Sequence, residues 1–311
     1  MRAALVLLAL VAASAGLLAY QALRDPLAAL APVGAIGESI VQDEALVARS
    51  DPPLLVHRVA LPTSEAGVVR FAVRRPVQAE GHLPVVVLAA GLRKGRDQVA
   101  DAPAMGQTAL VVLEYPLPRR VRVIDLLNPA SLVRLYRGAM RAPAQLAAAA
   151  AWARAQPWAD PDRVVLVGAS LGSIVAPAAW RLADGIGARP AAGAFGYGGA
   201  DIQALAEAGL AKGTNPVLLW GASRLLGTIL APLDPLRHLP AMRGGPFLIL
   251  SGTADGLIPE RSVRLLETLT PQPKTIIAMP GGHVGDEAAA TAAAVGALKG
   301  WLVERGLAQA W

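Results

Sequence analysis

The chain has 311 residues, 54% of them hydrophobic and 17% charged, with a formal net charge of +6 and no cysteine. That length fits one large α/β domain or two small ones, and the apolar content excludes a disordered chain. The missing cysteine excludes thiol nucleophiles, disulfides and thiolate metal sites. The basic excess is mostly arginine, scattered and without interleaved aromatics, so nucleic acid is not an expected partner.

Arg2 precedes an unbroken run of apolar and small residues over 3–19, and Ala13-Ser14-Ala15 has the small-x-small form of a signal-peptidase site. A cleaved export signal and an uncleaved N-terminal anchor both fit residues 1–20, since the run is at the short edge of a spanning helix. Either reading puts the remainder outside the cytoplasm, periplasmic, extracellular or anchored facing outward. No Cys follows, so a lipoprotein signal is excluded. Residues 21–53, rich in Pro, Gly and Ala, read as a linker or lead-in with a short helix at 41–48.

From residue 54 the pattern becomes regular. Residues 54–60 and 68–73 read as an antiparallel hairpin around a turn containing Pro62 and Gly67. Residues 84–90, 109–115, 163–167, 190–195, 246–250 and 274–279 read as further strands. Most are apolar on both faces, which predicts a parallel sheet covered by helices. Helices are expected at 141–154, 171–182, 261–269 and 286–303, with Asp286 as an N-cap and a perturbation at Pro177. Residues 201–239 break the alternation and predict a small helical insertion, a partial lid over the carboxyl edge of the sheet. The expected architecture is a mostly parallel sheet of about eight strands with one core.

Gly168-Ala169-Ser170-Leu171-Gly172 follows one such strand and precedes a helix, the context in which G-x-S-x-G places a nucleophile on a sharp turn. Gly168 and Gly172 supply the near-absence of side chain that so tight a bend needs. A phosphate loop is excluded, because neither Gly-Lys-Ser/Thr nor G-x-G-x-x-G is present. A serine nucleophile needs a base and an orienting acid. Of four histidines, His57, His82 and His238 precede the last strand and read as structural or surface groups. His283 follows that strand, within Pro280-Gly281-Gly282-His283-Val284-Gly285, and is the candidate base. Asp255 follows the 246–250 strand and is the candidate acid. Asp234 sits at the wrong end of that strand, and Glu114 is an outside alternative. Leu171 N–H and Leu92 N–H are the candidate oxyanion donors, the second from the loop opened by Gly91. No cofactor or metal is expected.

These motifs, with Leu233-Asp234-Pro235-Leu236, Gly252-Thr253-Ala254-Asp255 and Ile258-Pro259, resemble the α/β-hydrolase superfamily. The chain looks most like the bacterial dienelactone-hydrolase and acyl-aminoacyl-peptidase-like serine esterases over roughly residues 54–305. The resemblance implies a cofactor-free serine hydrolase acting on esters, thioesters or amides. One departure is that Ala90-Gly91 stands where many members carry His-Gly, which puts the geometry of the second oxyanion donor in question. The expected activity is carboxylic ester cleavage on a small acyl substrate, with an apolar acyl group suggested by the Leu- and Ala-rich insertion. An amidase or peptidase with the same triad, or a non-catalytic exported binding protein, are the alternatives. The basic clusters Arg93-Lys94-Gly95-Arg96 and Arg119-Arg120-Val121-Arg122 are compatible with an acidic substrate or anionic lipid without showing either.

Overall fold

A computed structural model describes residues 23–309, apart from 48–52, 80, 92–94, 98, 100–101, 104, 119–127, 212–214 and 286–287, together with residues 16 and 20. Its centre is one nine-stranded sheet in the order β1-β2-β3-β5-β4-β6-β7-β8-β9. The strands are β1 (Ile40–Val47), β2 (Leu54–Thr63), β3 (Gly67–Pro76), β4 (Leu83–Ala89), β5 (Ala109–Glu114), β6 (Ala159–Ala169), β7 (Ala192–Gly196), β8 (Phe247–Gly252) and β9 (Lys274–Met279). The first three and β5 pair antiparallel, and β5 through β9 run parallel. The reason is visible in the side chains. In each of β4 and β5 every residue but one is buried, and strands apolar on both faces need helices on both faces.

Those helices are α1 (Pro129–Arg154), α2 (Leu171–Gly185), α3 (Ile202–Leu210), α4 (Pro216–Ile229), α5 (Pro235–His238), α6 (Glu260–Leu269) and α7 (Ala288–Glu304). Asn128 caps α1 through bonds accepted from Ala130 N and Ser131 N. An alanine run in its second half, Ala147 to Ala150, lies flush on the sheet with almost no exposure. Small side chains permit that close approach, and larger ones fill the space between layers. Trp180 and Phe247 meet at 4.8 Å between ring centroids, and both are fully buried. Each such side chain contributes about 1.5–3 kcal/mol by leaving water. The other face is covered by α7, whose Trp301 and Leu302 pack on Leu248 and Leu250.

Three expectations change. Residues 40–47 are a strand, not a short helix, and the sheet has nine strands. The free edge of β2 pairs with this segment from Ile40↔Ala60 to Val47↔Leu54, and a paired backbone outweighs a weak local preference. The lead-in before it is packed as well, with Leu30 and Val33 buried. Finally, α2 runs unbroken through the buried Pro177. The insertion is helical as expected, formed by α3, α4 and α5, and α3 packs on α4. Among the described residues no helix is long and apolar enough to cross a membrane. The expected signal or anchor over 1–20 and the Asp286 cap lie outside the described residues, save residues 16 and 20.

Candidate active site

Strand register brings the candidate residues to one edge. Ala169, Gly196 and Leu250 are consecutive neighbours across β6, β7 and β8, and Gly252 pairs with Met279 of β9. The loops bearing Ser170, Asp255 and His283 therefore leave the carboxyl ends of parallel strands at nearly the same height. Open α/β sheets form their sites at that edge.

Ser170 sits between β6 and α2 with φ 54° and ψ −117°. A non-glycine residue held there stores roughly 1–3 kcal/mol of strain and persists only where its surroundings enforce it. Here Ser170 N–H donates to Gly196 O at 2.8 Å, and Ser170 O accepts from Ser173 N at 2.9 Å. The fully buried Ser173 adds its hydroxyl, within 2.8 Å of Gly168 O and 2.7 Å of Gly196 O. The flanking glycines are obligatory. A Cβ on Gly168 would overlap the carbonyl of Gly172, and one on Gly172 would overlap the carbonyl of Ala89.

The Ser170 side chain makes no cap bond to its own helix. Its Oγ lies 2.8 Å from His283 Nε2, and His283 Nδ1 lies 2.8 Å from Asp255 Oδ2. Asp255 is oriented in turn, because its Oδ1 accepts from Leu257 N at 2.9 Å and Ile258 N at 3.2 Å. Its acceptor bonds define the histidine tautomer: Nδ1–H donates to the carboxylate, and Nε2 is left to accept from the serine hydroxyl. Two backbone bonds stitch the acid loop to the histidine loop, Thr253 N to Met279 O and Ala254 N to Gly281 O, both 2.9 Å. The side chains of His283 and Asp255 are 8% and 4% exposed, so water does not compete for their contact. Such a relay can deprotonate a serine as its oxygen attacks an electrophilic carbon.

Three supporting residues escaped the sequence reading. Ser173 is one. Tyr197, at φ 53°, presents its ring edge-on to His283 at 6.0 Å. Its phenol is raised above the usual value by burial and, secondarily, by Asp255. Tyr115 donates its hydroxyl to Ala90 O at 2.8 Å, fixing the peptide that opens the loop after β4. Burial raises that phenol too, so it stays a donor. A tyrosine at a strand end was the only sequence signal for it. Leu171 opens α2, where its N–H has no intrahelical acceptor. Leu92 lies outside the described residues.

The rejected candidates have other occupations. Asp234 accepts from the N–H groups of Asp201, Ile202 and Leu236 at 2.9 to 3.0 Å, capping and joining α3 and α5. Burial raises the pKa of its carboxyl despite these bonds. His238 is fully buried with Nε2 2.7 Å from Pro232 O, and burial holds its pKa down to about 4. His57 is buried within β2, and His82 is exposed. Glu114 pairs with Arg96 at 2.9 Å. Among the described residues no group of three His, Asp or Glu side chains could hold a metal.

The chain is similar in structure to several esterases. Acetyl xylan esterase 1 from Thermoanaerobacterium sp. JW/SL YS485 aligns over 87% of this chain and 89% of its own, with 16% identity and a TM-score of 0.58. An acetyl xylan esterase from Paenibacillus sp. R4 aligns over 85% and 88%, with 14% identity and a TM-score of 0.60. A bacterial heroin esterase aligns over 82% and 84%, with 18% identity and a TM-score of 0.56. No protein-family model and no curated protein matches the sequence. At these identities the likeness is one of fold. The sheet, its helices and the turn at Ser170 define the α/β-hydrolase fold, as the sequence resemblance implied.

Proposed function

We propose that the protein is a serine hydrolase that cleaves a carboxylic ester of a small molecule through an acyl-enzyme. The observation that carries the reading is the continuous relay from Asp255 through His283 to Ser170, with 2.8 Å at each step. His283 takes the serine proton as Oγ bonds to the acyl carbon, and the carbonyl electron pair moves onto its oxygen. Leu171 N–H, and Leu92 N–H from the loop after β4, receive that oxyanion. The oxygen pair returns as the bond to the alcohol oxygen breaks, and the alcohol leaves with the proton from His283. Water, deprotonated by His283, then adds to the acyl carbon, the bond from that carbon to Ser170 Oγ breaks, and the carboxylic acid departs as His283 returns the proton to Oγ. Asp255 remains ionised and stabilises the imidazolium.

Esterases among the structural neighbours favour an ester over an amide. The apolar α3–α4 pair, with Val217, Leu218 and Trp220 at 75%, 68% and 60% exposure, fits an apolar acyl group or a lid. We read residues 1–20 as an export signal or an outward-facing anchor. Turnover of 4-nitrophenyl butyrate tests the reaction: wild type hydrolyses it, and Ser170→Ala reduces the rate to near background. Equal rates for the two proteins would refute the reading, as would failure of the wild type on every ester, thioester and amide tried.

A further inference from the structure

We propose that a cavity beside Ser170 is an anion-binding site, and that it receives the carboxylate of an ester substrate that carries one. The cavity has a volume of about 680 Å³, and its charged lining is Arg70, Arg96, Arg141 and Glu114. Among the described residues three guanidinium groups face one carboxylate, so that lining is electropositive.

Its position follows from register. Val112 of β5 pairs with Leu88 of β4, and Leu88 pairs with Val167 of β6. Glu114 stands two residues beyond Val112, and Ser170 three beyond Val167. The two lie at nearly the same height on the carboxyl edge, with β4 between their strands. Strands are spaced about 4.8 Å apart, so Glu114, on the side of the cavity nearest the serine, is about 10 Å from it along the sheet edge, and Arg70 is one strand further out.

Most of the lining is already committed. Glu114 holds Arg96 at 2.9 Å, and Arg96 Nη1 donates to Gln42 at 2.9 Å. The buried amide of Gln145 donates to Ala66 O at 2.9 Å, and the Tyr115 hydroxyl is spent on Ala90 O. Arg70 and Arg141 differ. Arg70 stands opposite Glu114 in register, yet neither it nor Arg141 has a hydrogen-bond or ion-pair partner among the described residues. Both come from well-formed elements, β3 and α1, which fix their Cα positions. Two unspent guanidinium groups over a cavity with a rigid wall offer the forked donors that a carboxylate accepts. The substrate half of this proposal rests on the ester-hydrolase reading, and the anion site does not.

The test compares two matched pairs of esters at low ionic strength. In one pair the charge is on the acyl side: the 4-nitrophenyl monoester of suberic acid against 4-nitrophenyl octanoate. In the other it is on the alcohol side: 4-acetoxybenzoate against its methyl ester. The expected result is a higher kcat/KM for the anionic member of one pair, which identifies the side that enters the cavity. Arg70→Gln and Arg141→Gln each reduce that preference by about tenfold, the loss of one charge-assisted contact, whereas the remote Arg305→Gln keeps it. Equal treatment of anionic and neutral esters in both pairs overturns the proposal, as do variants that depress both members alike. Calorimetric titration of Ser170→Ala with suberate dianion reads the site without chemistry. Saturable binding that Arg141→Gln weakens supports it, and no binding overturns it. Binding intact with every ester left uncleaved would support the anion site and sink the hydrolase reading alone.

Discussion

Replacing Asp255 by Asn separates charge and tautomer control from packing, because the two oxygens of this carboxylate have distinct partners. Oδ1 accepts from Leu257 N and Ile258 N, while Oδ2 accepts from His283 Nδ1–H. An asparagine keeps its carbonyl oxygen on the two backbone donors, since the amide nitrogen cannot accept there. Its NH₂ then faces His283 Nδ1. Two donors cannot face each other at 2.8 Å, so the ring shifts its proton to Nε2 and Nδ1 becomes the acceptor. Nε2–H now points at Ser170 Oγ and cannot receive the serine proton. The imidazolium formed in the transition state also loses its counter-charge. A loss of about 10,000-fold in kcat is expected, or about 5 kcal/mol of barrier. Two backbone bonds survive and the shape is unchanged, so Tm should move by only a few degrees. The assay is 4-nitrophenyl butyrate turnover alongside a thermal melt. An Asn variant that retains more than a tenth of wild-type kcat, with an unchanged melt, would refute the tautomer argument.

Further outcomes follow from the same contacts. Gly172→Ala forces a methyl group into the Ala89 carbonyl, so it should cost about 3 kcal/mol or more and remove soluble active protein, read by urea unfolding. Asp234→Ala orphans three N–H groups at the starts of α3 and α5 and should cost about 2–3 kcal/mol. A loss under 0.5 kcal/mol in urea melts would contradict the capping role. His238 gives a pH effect of definite sign. Its native pKa of about 4 lies below the ordinary imidazole value of 6.5, so between those values the unfolded chain binds the extra proton and stability falls as pH falls. The full loss is roughly 3 kcal/mol, starting below about pH 6.5 and complete near pH 4. His238→Gln should flatten that part of the urea-midpoint profile, and an unaltered slope would discount the histidine.

Much of this architecture was legible because its signals are local. Most strands from residue 54 onward announce themselves as apolar runs, three of them ended by Gly91, Pro116 and Gly168, while 190–195 is placed by its position between two helices, and the serine turn shows in two glycines that only a strand-to-helix bend requires. Asp255 and His283 were legible as loop residues after strands. Edge strand β1 was not, because Ile40–Val47 acquires its conformation from the free edge of β2 and carries only a weak preference of its own. Tyr115 and Ser173 were missed for a related reason. Each acts on a backbone group far away in the chain, Ala90 O and Gly196 O, and strand adjacency alone brings these together. His238 read as a surface or packing group and is a packing group, held in the interior by a carbonyl six residues before it.

The amino-acid sequence by itself determined the layer pattern, the elbow at Ser170 and the chain order Ser170, Asp255, His283, since periodicity, turn chemistry and glycine spacing act over a few residues. Tertiary structure alone decided the strand order, the 2.8 Å contacts that join the three side chains, and the grouping of Arg70, Arg96 and Arg141 at one cavity. Those depend on which strands become neighbours. Neighbour choice is a global outcome of burying every apolar face at once, and no short stretch of sequence encodes it.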